Sequence, residues 1–378
     1  MITVQLPAPA ATFVAGGGRD IDLARVPGLP ALEAGAHCQL LGASGEEVGL
    51  AVADPDNAKL RVLAVPADGF PAISGALLAV RVERALAWRK RLGLPGPDHA
   101  YRLVHGAGDG LPGFSCDVMG RVAVVYAYGE GLRALGKQLA ETIVGFAQLD
   151  GAVIKLRARG GADDVPQDVL GKVEERAIVR ELGVPYEVHP LAGLNVGLFT
   201  DMREQRLGLP RFAPGQRVLN LFSYTGALGL ACARAGAASV TNVDTSQGVL
   251  AWAKGNFDRS GVAARFEAGD ARRFLTRAVR DKERYDLVIV DPPSAGVGWA
   301  TGRDYPELIA QASAVIPDGG LLWLAANTVE LGSLAKLAGK GLRGRAAAIV
   351  EQAGLPPEYP TVVAQPQDRY LQILVLRL

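Results

Sequence analysis

The chain has 378 residues, which is long for a single domain and favours two or three. Hydrophobic residues make up 49% and charged residues 21%, so the chain can fill cores and is not a disordered protein. A net charge of +1 excludes a uniformly basic nucleic-acid binder and leaves only a local basic patch as a way to bind RNA.

The cysteines, the histidines and the N-terminus narrow the class further. Three distant cysteines form neither a disulfide framework nor a Cys-x-x-Cys site, and the four histidines lack metal-ligand spacing. The N-terminus lacks the features of a signal peptide, and no apolar run is long enough for a membrane helix. We therefore expect a cytoplasmic protein that binds no metal and no membrane, with monomer and homodimer both open.

Two small domains are predicted before the C-terminal half. Residues 1–76 alternate short apolar runs with turn residues, which is typical of a β-rich domain. Residues 77–190 open with a helix, on which Leu78, Val82 and Leu86 share a face, and continue as a small α+β domain.

The opposite face of that first helix is basic and contains one aromatic residue. Its members are Arg81, Arg84, Trp88 and Arg91. Such a stripe is either a solvated surface or an RNA-binding surface, with arginines for phosphates and a tryptophan for a base.

Residues 191–378 alternate strands with helices, which predicts an α/β domain with a doubly wound sheet. Five strands are expected near 217–222, 239–243, 264–267, 286–290 and 320–325. Two further strands are expected within 359–378.

The first of these strands leads into a glycine loop. Val218–Phe222 is followed by Ser-Tyr-Thr-Gly226 and by Gly229, where glycine lets the backbone approach a ligand. Asp244 ends the next strand and can hold two ribose hydroxyls, although an acid there can also be only a helix cap. This unit predicts an adenosine-containing cofactor.

Asp270 ends the third strand, where it can bind the amine of an adenine or cap the next helix. Thr245 or Ser246 can cap the helix after the second strand. The full set of predicted cofactor-binding residues is Asn220, Phe222, Ser223, Tyr224, Thr225, Gly226, Asp244, Thr245, Ser246, Asp270 and Asp291.

The fourth strand ends in Asp291-Pro292-Pro293-Ser294, which are the predicted catalytic residues. The two prolines stiffen the loop and lack N–H donors, so a carboxylate and free carbonyls can orient an amino group. This favours S-adenosylmethionine (SAM) as the cofactor over a nicotinamide, because methyl transfer depends mainly on positioning. A purely structural turn is the alternative.

Ser294 is not aromatic, so a base would stack on Phe199, Phe222, Tyr224 or Trp299.

Three segments together resemble the bacterial 23S ribosomal RNA large-subunit methyltransferases that make 5-methylcytosine. They are Asn220–Gly226, Gly197–Arg206 and Asp109–Gly113, and the resemblance spans nearly the whole chain. It implies a PUA RNA-binding domain, a central strand–strand–helix–strand–strand domain and a C-terminal Rossmann-like class I SAM methyltransferase domain. It also implies ribosomal RNA as the partner, and Asp201, Arg203 and Arg206 match a segment beside the SAM domain.

The chain departs from that family at the nucleophile. Carbon C5 of cytosine becomes nucleophilic only after a thiolate adds to C6. Asn327 stands at or beside the position of the family's cysteine, after the fifth strand, and Cys38, Cys116 and Cys232 lie elsewhere. We therefore expect a SAM-dependent methyltransferase that acts on a base of large-subunit ribosomal RNA, with 5-methylcytosine disfavoured as the product and an exocyclic or ring nitrogen as a candidate acceptor. A non-catalytic SAM-binding protein of ribosome assembly is the alternative, and a small-molecule methyltransferase is disfavoured by the two preceding domains.

Overall fold

The computed structural model describes residues 1–29, 31–157, 167–296, 299–328 and 332–378. It divides into two compact units. The first contains Met1–Arg180, Val188–Val196 and Pro357–Asp368; the second contains Glu181–Glu187, Gly197–Pro356 and Arg369–Leu378. No helix in the described part of the chain is long and apolar enough to span a lipid bilayer.

The first unit begins with a β-rich module, as the sequence predicts. Its elements are β1 (Ile2–Gln5), α1 (Ala8–Ala15), β2 (Asp20–Asp22), β3 (His37–Leu41), β4 (Glu47–Asp54) and β5 (Lys59–Ala64). They form one sheet of order β1-β3-β4-β5-β2. Arg61 on β5 pairs with Asp54 at 2.6 Å and with Asp20 at 2.8 Å, so β2, β4 and β5 are joined by a largely buried ionic network.

A second five-stranded sheet completes this unit. Its elements are α2 (Gly75–Arg91), β6 (Ala100–His105), β7 (Phe114–Met119), β8 (Val122–Ala127), α3 (Arg133–Ala147), β9 (Gly151–Leu156) and β10 (Gln167–Gly171). The order is β10-β9-β8-β7-β6, and Leu78, Val82 and Leu86 of α2 join its core, as predicted. The strands β11 (Ala177–Glu181) and β12 (Val184–Val188) lie outside this sheet. These two strands pair with each other in a separate two-stranded sheet.

Arg81 does not belong to the outer face of α2. It is buried, donates to the carbonyl oxygen of Leu63 and pairs with Asp68 at 2.6 Å. The helical period places Arg81 near Arg84, but the carboxylate of Asp68 draws its side chain inward. The predicted stripe therefore shrinks to Arg84, Trp88 and Arg91.

The turn Asp109–Gly113 between β6 and β7 has a structural explanation. The Asp109 carboxylate accepts two bonds from the buried guanidinium of Arg89, at 2.6 and 2.8 Å, and one from the amide of His105. Gly110 and Gly113 adopt left-handed φ angles of 70° and 82°. An ion pair buried this deeply needs several hydrogen bonds to offset its desolvation, which accounts for the pattern without a ligand.

The second unit is built on one seven-stranded sheet. Its elements are α4 (Arg203–Gly208), β13 (Arg217–Leu221), α5 (Ala227–Arg234), β14 (Ser239–Asp244), α6 (Gln247–Arg259), β15 (Arg265–Ala268), α7 (Ala271–Arg280), β16 (Leu287–Val290), β17 (Ala295–Gly296), β18 (Trp299–Ala300), α8 (Thr301–Ser313), β19 (Leu321–Asn327), α9 (Leu334–Gly341), β20 (Ala348–Gly354) and β21 (Leu371–Arg377).

The strand order is β15-β14-β13-β16-β19-β21-β20, with β21 antiparallel to both of its neighbours. The α/β prediction is confirmed, and the five parallel strands lie where the sequence places them. Only one strand lies within 359–378, because β20 comes earlier, at Ala348–Gly354. The order reverses between β13 and β16, and ligands bind at such a switch point, beyond the carboxyl ends of the strands.

Candidate cofactor and acceptor site

The glycine loop after β13 has an unusual backbone. Phe222, Tyr224 and Gly226 all have left-handed φ angles, of 57°, 48° and 77°. Non-glycine residues in this region are strained, and such strain persists only where neighbouring structure holds it. Here the amide of Ser223 donates to the carbonyl oxygen of Val243 at 3.0 Å. The loop is therefore fixed to β14.

Asp244 at the end of β14 holds the same loop from the other side. Its carboxylate accepts hydrogen bonds from the amide of Tyr224 at 2.9 Å and from the amide of Ser246 at 3.1 Å. Ser246 caps α6 by accepting from the amide of Val249, while Thr245 is exposed. Each carboxylate oxygen of Asp244 has a remaining lone pair, so ribose hydroxyls can still bind.

Asn220 and Thr225, both predicted to bind the cofactor, form internal hydrogen bonds. The Asn220 amide donates to the Asn242 side chain at 2.9 Å, in register across β13 and β14. The Thr225 hydroxyl donates to the carbonyl oxygen of Gly197 at 2.6 Å, and Asn256 donates to the Thr225 carbonyl oxygen. Sequence reasoning missed these supports, although paired asparagines in buried strands are a readable signal.

Gly229 is required for packing between α5 and β14. A Cβ atom there would lie 2.4 Å from Oδ1 of Asn242. At Gly226 the left-handed φ excludes most side chains, and a Cβ atom would lie 3.0 Å from the Phe257 ring. These contacts are sufficient to explain both glycines, and the approach of a ligand to Gly226 stays a prediction.

The loop contains one polar atom that a ligand can satisfy. Ser223 is 6% exposed, and its hydroxyl oxygen is buried with no hydrogen-bond partner among the described residues. A buried hydroxyl without a partner is unfavourable by about 1–3 kcal/mol. A polar group of SAM fits this position, since Ser223 lies between the strained residues and beside Asp244.

Asp270 is exposed and caps α7, accepting from the amide of Arg273 at 3.0 Å. The prediction that Asp270 caps the following helix is therefore confirmed. The carboxylate has a second oxygen for a ligand, and the contact with adenine stays a prediction.

Asp291, directly after β16, is the unusual acid of this unit. Its side chain is half-buried and has no hydrogen bond or ion pair among the residues that the structure describes. Burial, with a smaller contribution from the charge of Asp201, raises its pKa to about 7. Asp201 itself accepts from the hydroxyl of Tyr370 at 2.9 Å.

The residues that follow Asp291 are held from two sides. Pro292 is buried, whereas Pro293 and Ser294 are exposed. The hydroxyl of Thr301 donates to the carbonyl oxygen of Ser294 at 2.7 Å, so the prediction that the carbonyls of this loop are free is wrong for Ser294. On the N-terminal side of Asp291, the buried hydroxyl of Tyr305 donates a hydrogen bond to the carbonyl oxygen of Val290 at 3.0 Å.

Phe199 is the exposed aromatic residue next to the cofactor loop. Its side chain is 44% exposed, and its ring lies 5.1 Å from the ring of Tyr224. Its carbonyl oxygen accepts from Arg206, which forms a buried bidentate pair with Glu181. Phe222 instead packs on the sheet core, and the side chain of Trp299 lies outside the described residues.

No cysteine of this chain is placed to act as a nucleophile. Asn327 is the exposed last residue of β19. All three cysteines are free and buried. Burial raises the pKa of Cys232 to about 12 and raises the pKa of Cys38 and of Cys116. A thiol whose pKa is raised is not a nucleophile at neutral pH. No cluster of potential metal ligands occurs among the described residues either.

The second unit combines parallel strands in the order β15-β14-β13-β16-β19 with a glycine loop after β13 and with acids at the ends of three strands, Asp244, Asp270 and Asp291. These features define a Rossmann-like class I methyltransferase domain. Residues 102–376 match the family model described as S-adenosylmethionine-dependent methyltransferase. The chain belongs to this family.

Known proteins of similar sequence are named as ribosomal RNA methyltransferases. The chain is 26% identical over 327 residues to "Ribosomal RNA large subunit methyltransferase I" of Klebsiella pneumoniae, covering 82% of each. It is 28% identical over 366 residues to the protein of that name from Shewanella denitrificans, covering 92% of this chain and 91% of the relative.

Solved structures share the fold. SMU.776, crystallised with SAH, matches with a TM-score of 0.91 over 100% of both chains, at 22% identity. The SAM-dependent methyltransferase from Agrobacterium tumefaciens matches with a TM-score of 0.55 over 75% of this chain and 90% of the other, at 23% identity.

Proposed function

We propose that this methyltransferase modifies a base of large-subunit ribosomal RNA and that the acceptor atom is a nitrogen. The names of the similar proteins support the RNA substrate. The observation that carries the choice of acceptor is the Asp291 carboxylate, half-buried and without a described partner, in a chain whose three thiols are all buried. The cytoplasm, where ribosomal RNA is found, is the proposed location.

The chemistry is a direct displacement. SAM, when bound, supplies a methyl group on a positively charged sulfur. Asp291 accepts a hydrogen bond from the acceptor amino group, which orients the nitrogen lone pair, and then takes the proton that this nitrogen loses. A carboxyl group with a pKa of about 7 suits this role, because about half of it is ionised near neutral pH and it is a stronger base than an ordinary carboxylate.

Phe199 is the proposed surface for the acceptor base. It is exposed, it lies against Tyr224 of the cofactor loop, and it is two residues from Asp201, whose charge acts on Asp291. A flat base stacked on this ring would be held near both halves of the site. The N-terminal domain, residues 1–76, and the central domain, residues 77–190, are proposed to bind the surrounding RNA, with methyl transfer assigned to residues 191–378.

Mass spectrometry of nucleosides from large-subunit ribosomal RNA tests the proposal. Deletion of the gene should remove one methylated nucleoside, and the wild-type gene should restore it whereas D291A should not. Digestion of the restored RNA should place the methyl group on a nitrogen. Identical nucleoside maps with and without the gene, or a methyl group on carbon C5 of cytosine, would contradict the proposal.

One alternative is supported by the same site. The loss of the family's cysteine at Asn327, together with a non-aromatic Ser294, fits a SAM-binding protein of ribosome assembly that does not methylate. Calorimetry should detect SAM binding in both cases. Only the enzyme would convert SAM to its demethylated product when ribosomal RNA from the deletion strain is added.

A further inference from the structure

The outer face of α2 presents three exposed residues in one stripe. Arg84, Trp88 and Arg91 are spaced i, i+4 and i+7, so they project from the same side of the helix. Ala87, between them, is small and exposed, which leaves the tryptophan ring accessible. We refer to Arg84, Trp88 and Arg91 as the α2 stripe.

Trp88 is held in place although it is exposed. Its indole N–H donates to the carbonyl oxygen of Pro357 at 3.0 Å, and its side chain remains 37% exposed. Because the only polar atom of the ring is already bonded, the exposed surface is hydrocarbon. By contrast Trp323 is 1% exposed. A fixed aromatic surface in solvent is suited to stacking, since little side-chain freedom is lost on binding.

The two arginines of the stripe are available to an anion. No carboxylate pairs with Arg84 or Arg91 among the described residues, and the Arg91 guanidinium lies 6.0 Å from the Trp88 ring centroid. On the inner side of the same helix, Arg81 and Arg89 are each neutralised by an aspartate at 2.6 Å. The helix thus pairs its inner cations and leaves its outer ones for a partner.

We propose that the α2 stripe binds an unpaired segment of the substrate RNA, with one base stacked on Trp88 and phosphates bound by Arg84 and Arg91. This proposal rests on the proposed function for the identity of the RNA. The two arginines are separated by about 10 Å along the helix, which leaves room for a base between their phosphates. A single-stranded nucleic acid combines flat bases with regularly spaced phosphates, and RNA is favoured over DNA by the proposed function.

Fluorescence anisotropy with a labelled single-stranded oligouridylate, measured across a salt titration, tests the stripe in the full-length protein. W88A should weaken binding about 5- to 150-fold without changing the salt dependence, because stacking involves no counterions. W88F also loses the bond to Pro357 but keeps an aromatic ring, and it should recover most of the affinity. R84Q/R91Q should reduce the slope of log K against log salt by about 1.4.

The matched control is R273Q/R280Q, which removes two exposed arginines at the same i, i+7 spacing from α7, where no tryptophan accompanies them. Equal effects of the two double variants would overturn the proposal, because net charge alone would then explain binding. Wild-type affinity in W88A would also overturn it. A wild-type protein that does not bind the oligouridylate would overturn the proposal too, and the α2 stripe would then be assigned to a protein partner.

Methylation of ribosomal RNA from the deletion strain separates this proposal from the proposed function. The stripe variants should raise KM for RNA and leave kcat unchanged, since the stripe does not touch the reacting atoms. A wild-type protein that binds oligouridylate through the stripe but methylates no RNA would refute only the proposed function. A wild-type protein that methylates, with stripe variants of unchanged KM and affinity, would refute only the stripe.

Discussion

The two halves of the candidate site differ in how their polar groups are satisfied. Around the cofactor loop, Asp244, Asn220 and Thr225 all form hydrogen bonds with neighbouring residues. The other half is the segment Asp291–Ser294 after β16, which we call the acceptor corner. There the Asp291 carboxylate has no partner among the described residues, and its pKa is raised. Among the described residues, two buried polar atoms of the first region have no hydrogen-bond partner: the Ser223 hydroxyl oxygen and the side-chain amide nitrogen of Asn242.

This difference indicates that the two regions contribute in different ways. A preformed loop binds its cofactor without reorganisation, so its affinity depends on internal hydrogen bonds. The Asp291 carboxylate has no described protein partner, and in the proposed function its hydrogen-bond partner is the acceptor nitrogen of the substrate. Substitutions in the loop should therefore change SAM affinity, whereas substitutions at the corner should change the rate of methyl transfer.

The largest effect is expected at Asp291. D291N should lower kcat by about 100-fold or more, because the acceptor nitrogen loses its orienting group. Calorimetry of SAM binding to D291N tests separately the predicted contact of Asp291 with the cofactor. For the wild type, kcat/KM should rise with pH through about 7, as the carboxylate ionises, and D291N should lose this dependence. A D291N enzyme with wild-type kcat would contradict the assignment of methyl transfer to the Asp291 segment and of SAM binding to the cofactor loop.

The same substitution predicts a pH-dependent change in stability. Because the pKa of Asp291 is raised, its contribution is present below the usual carboxyl pKa of about 4 and is lost as pH rises through about 7. Thermal unfolding should therefore show D291N gaining stability relative to the wild type over that interval. Asp304 is the control, since hydrogen bonding to Arg303 lowers its pKa to about 2. D304N should be destabilised at neutral pH and recover relative to the wild type only as pH falls toward 2.

The next largest effect is expected at Asp244. D244N should weaken SAM binding about 10- to 100-fold, because the charged acceptor for the ribose is lost and the amide opposes the Tyr224 N–H. Titration calorimetry measures this directly. D270N, at an exposed acid, should have a smaller effect, and an equal or larger loss there would show that adenine recognition dominates.

Phe199 gives a smaller and more selective prediction. F199A should raise KM for RNA about 5- to 100-fold through lost stacking, with the affinity for SAM unchanged. F146A is the matched control, since Phe146 on α3 has the same exposed fraction of 44%. Weaker SAM binding in F199A would assign the ring to the cofactor instead of the base.

The smallest effect is expected from the cysteines. A C38A/C116A/C232A variant should methylate RNA within about twofold of the wild type per folded molecule, since three buried thiols with raised pKa do not take part. RNA that contains 5-fluorocytosine should form no covalent adduct with the wild type. An adduct mapped to a cysteine would restore carbon methylation as the reaction.

Several outcomes could be reached only from the structure because they depend on contacts between distant residues. Arg81 lies on the polar side of α2 by helical period, yet the carboxylate of Asp68 holds it inside. β20 was not expected at Ala348–Gly354, since its residues are largely exposed and lack the alternation that marks a half-buried strand. The turn Asp109–Gly113 has a buried partner, Arg89, on another element.

The sequence by itself determined the α/β class, the positions of the parallel strands, and Asp244, Asp270 and Asp291 at strand ends, because side-chain periodicity and turn residues are local properties. It also determined that Asn327 stands without a neighbouring thiol. Only the tertiary structure decided that Asp244 and Asp270 accept hydrogen bonds from the protein and that Asp291 has no partner among the described residues. Burial and hydrogen bonding arise between segments far apart in the chain, as with Asp201, Tyr370 and Asp291.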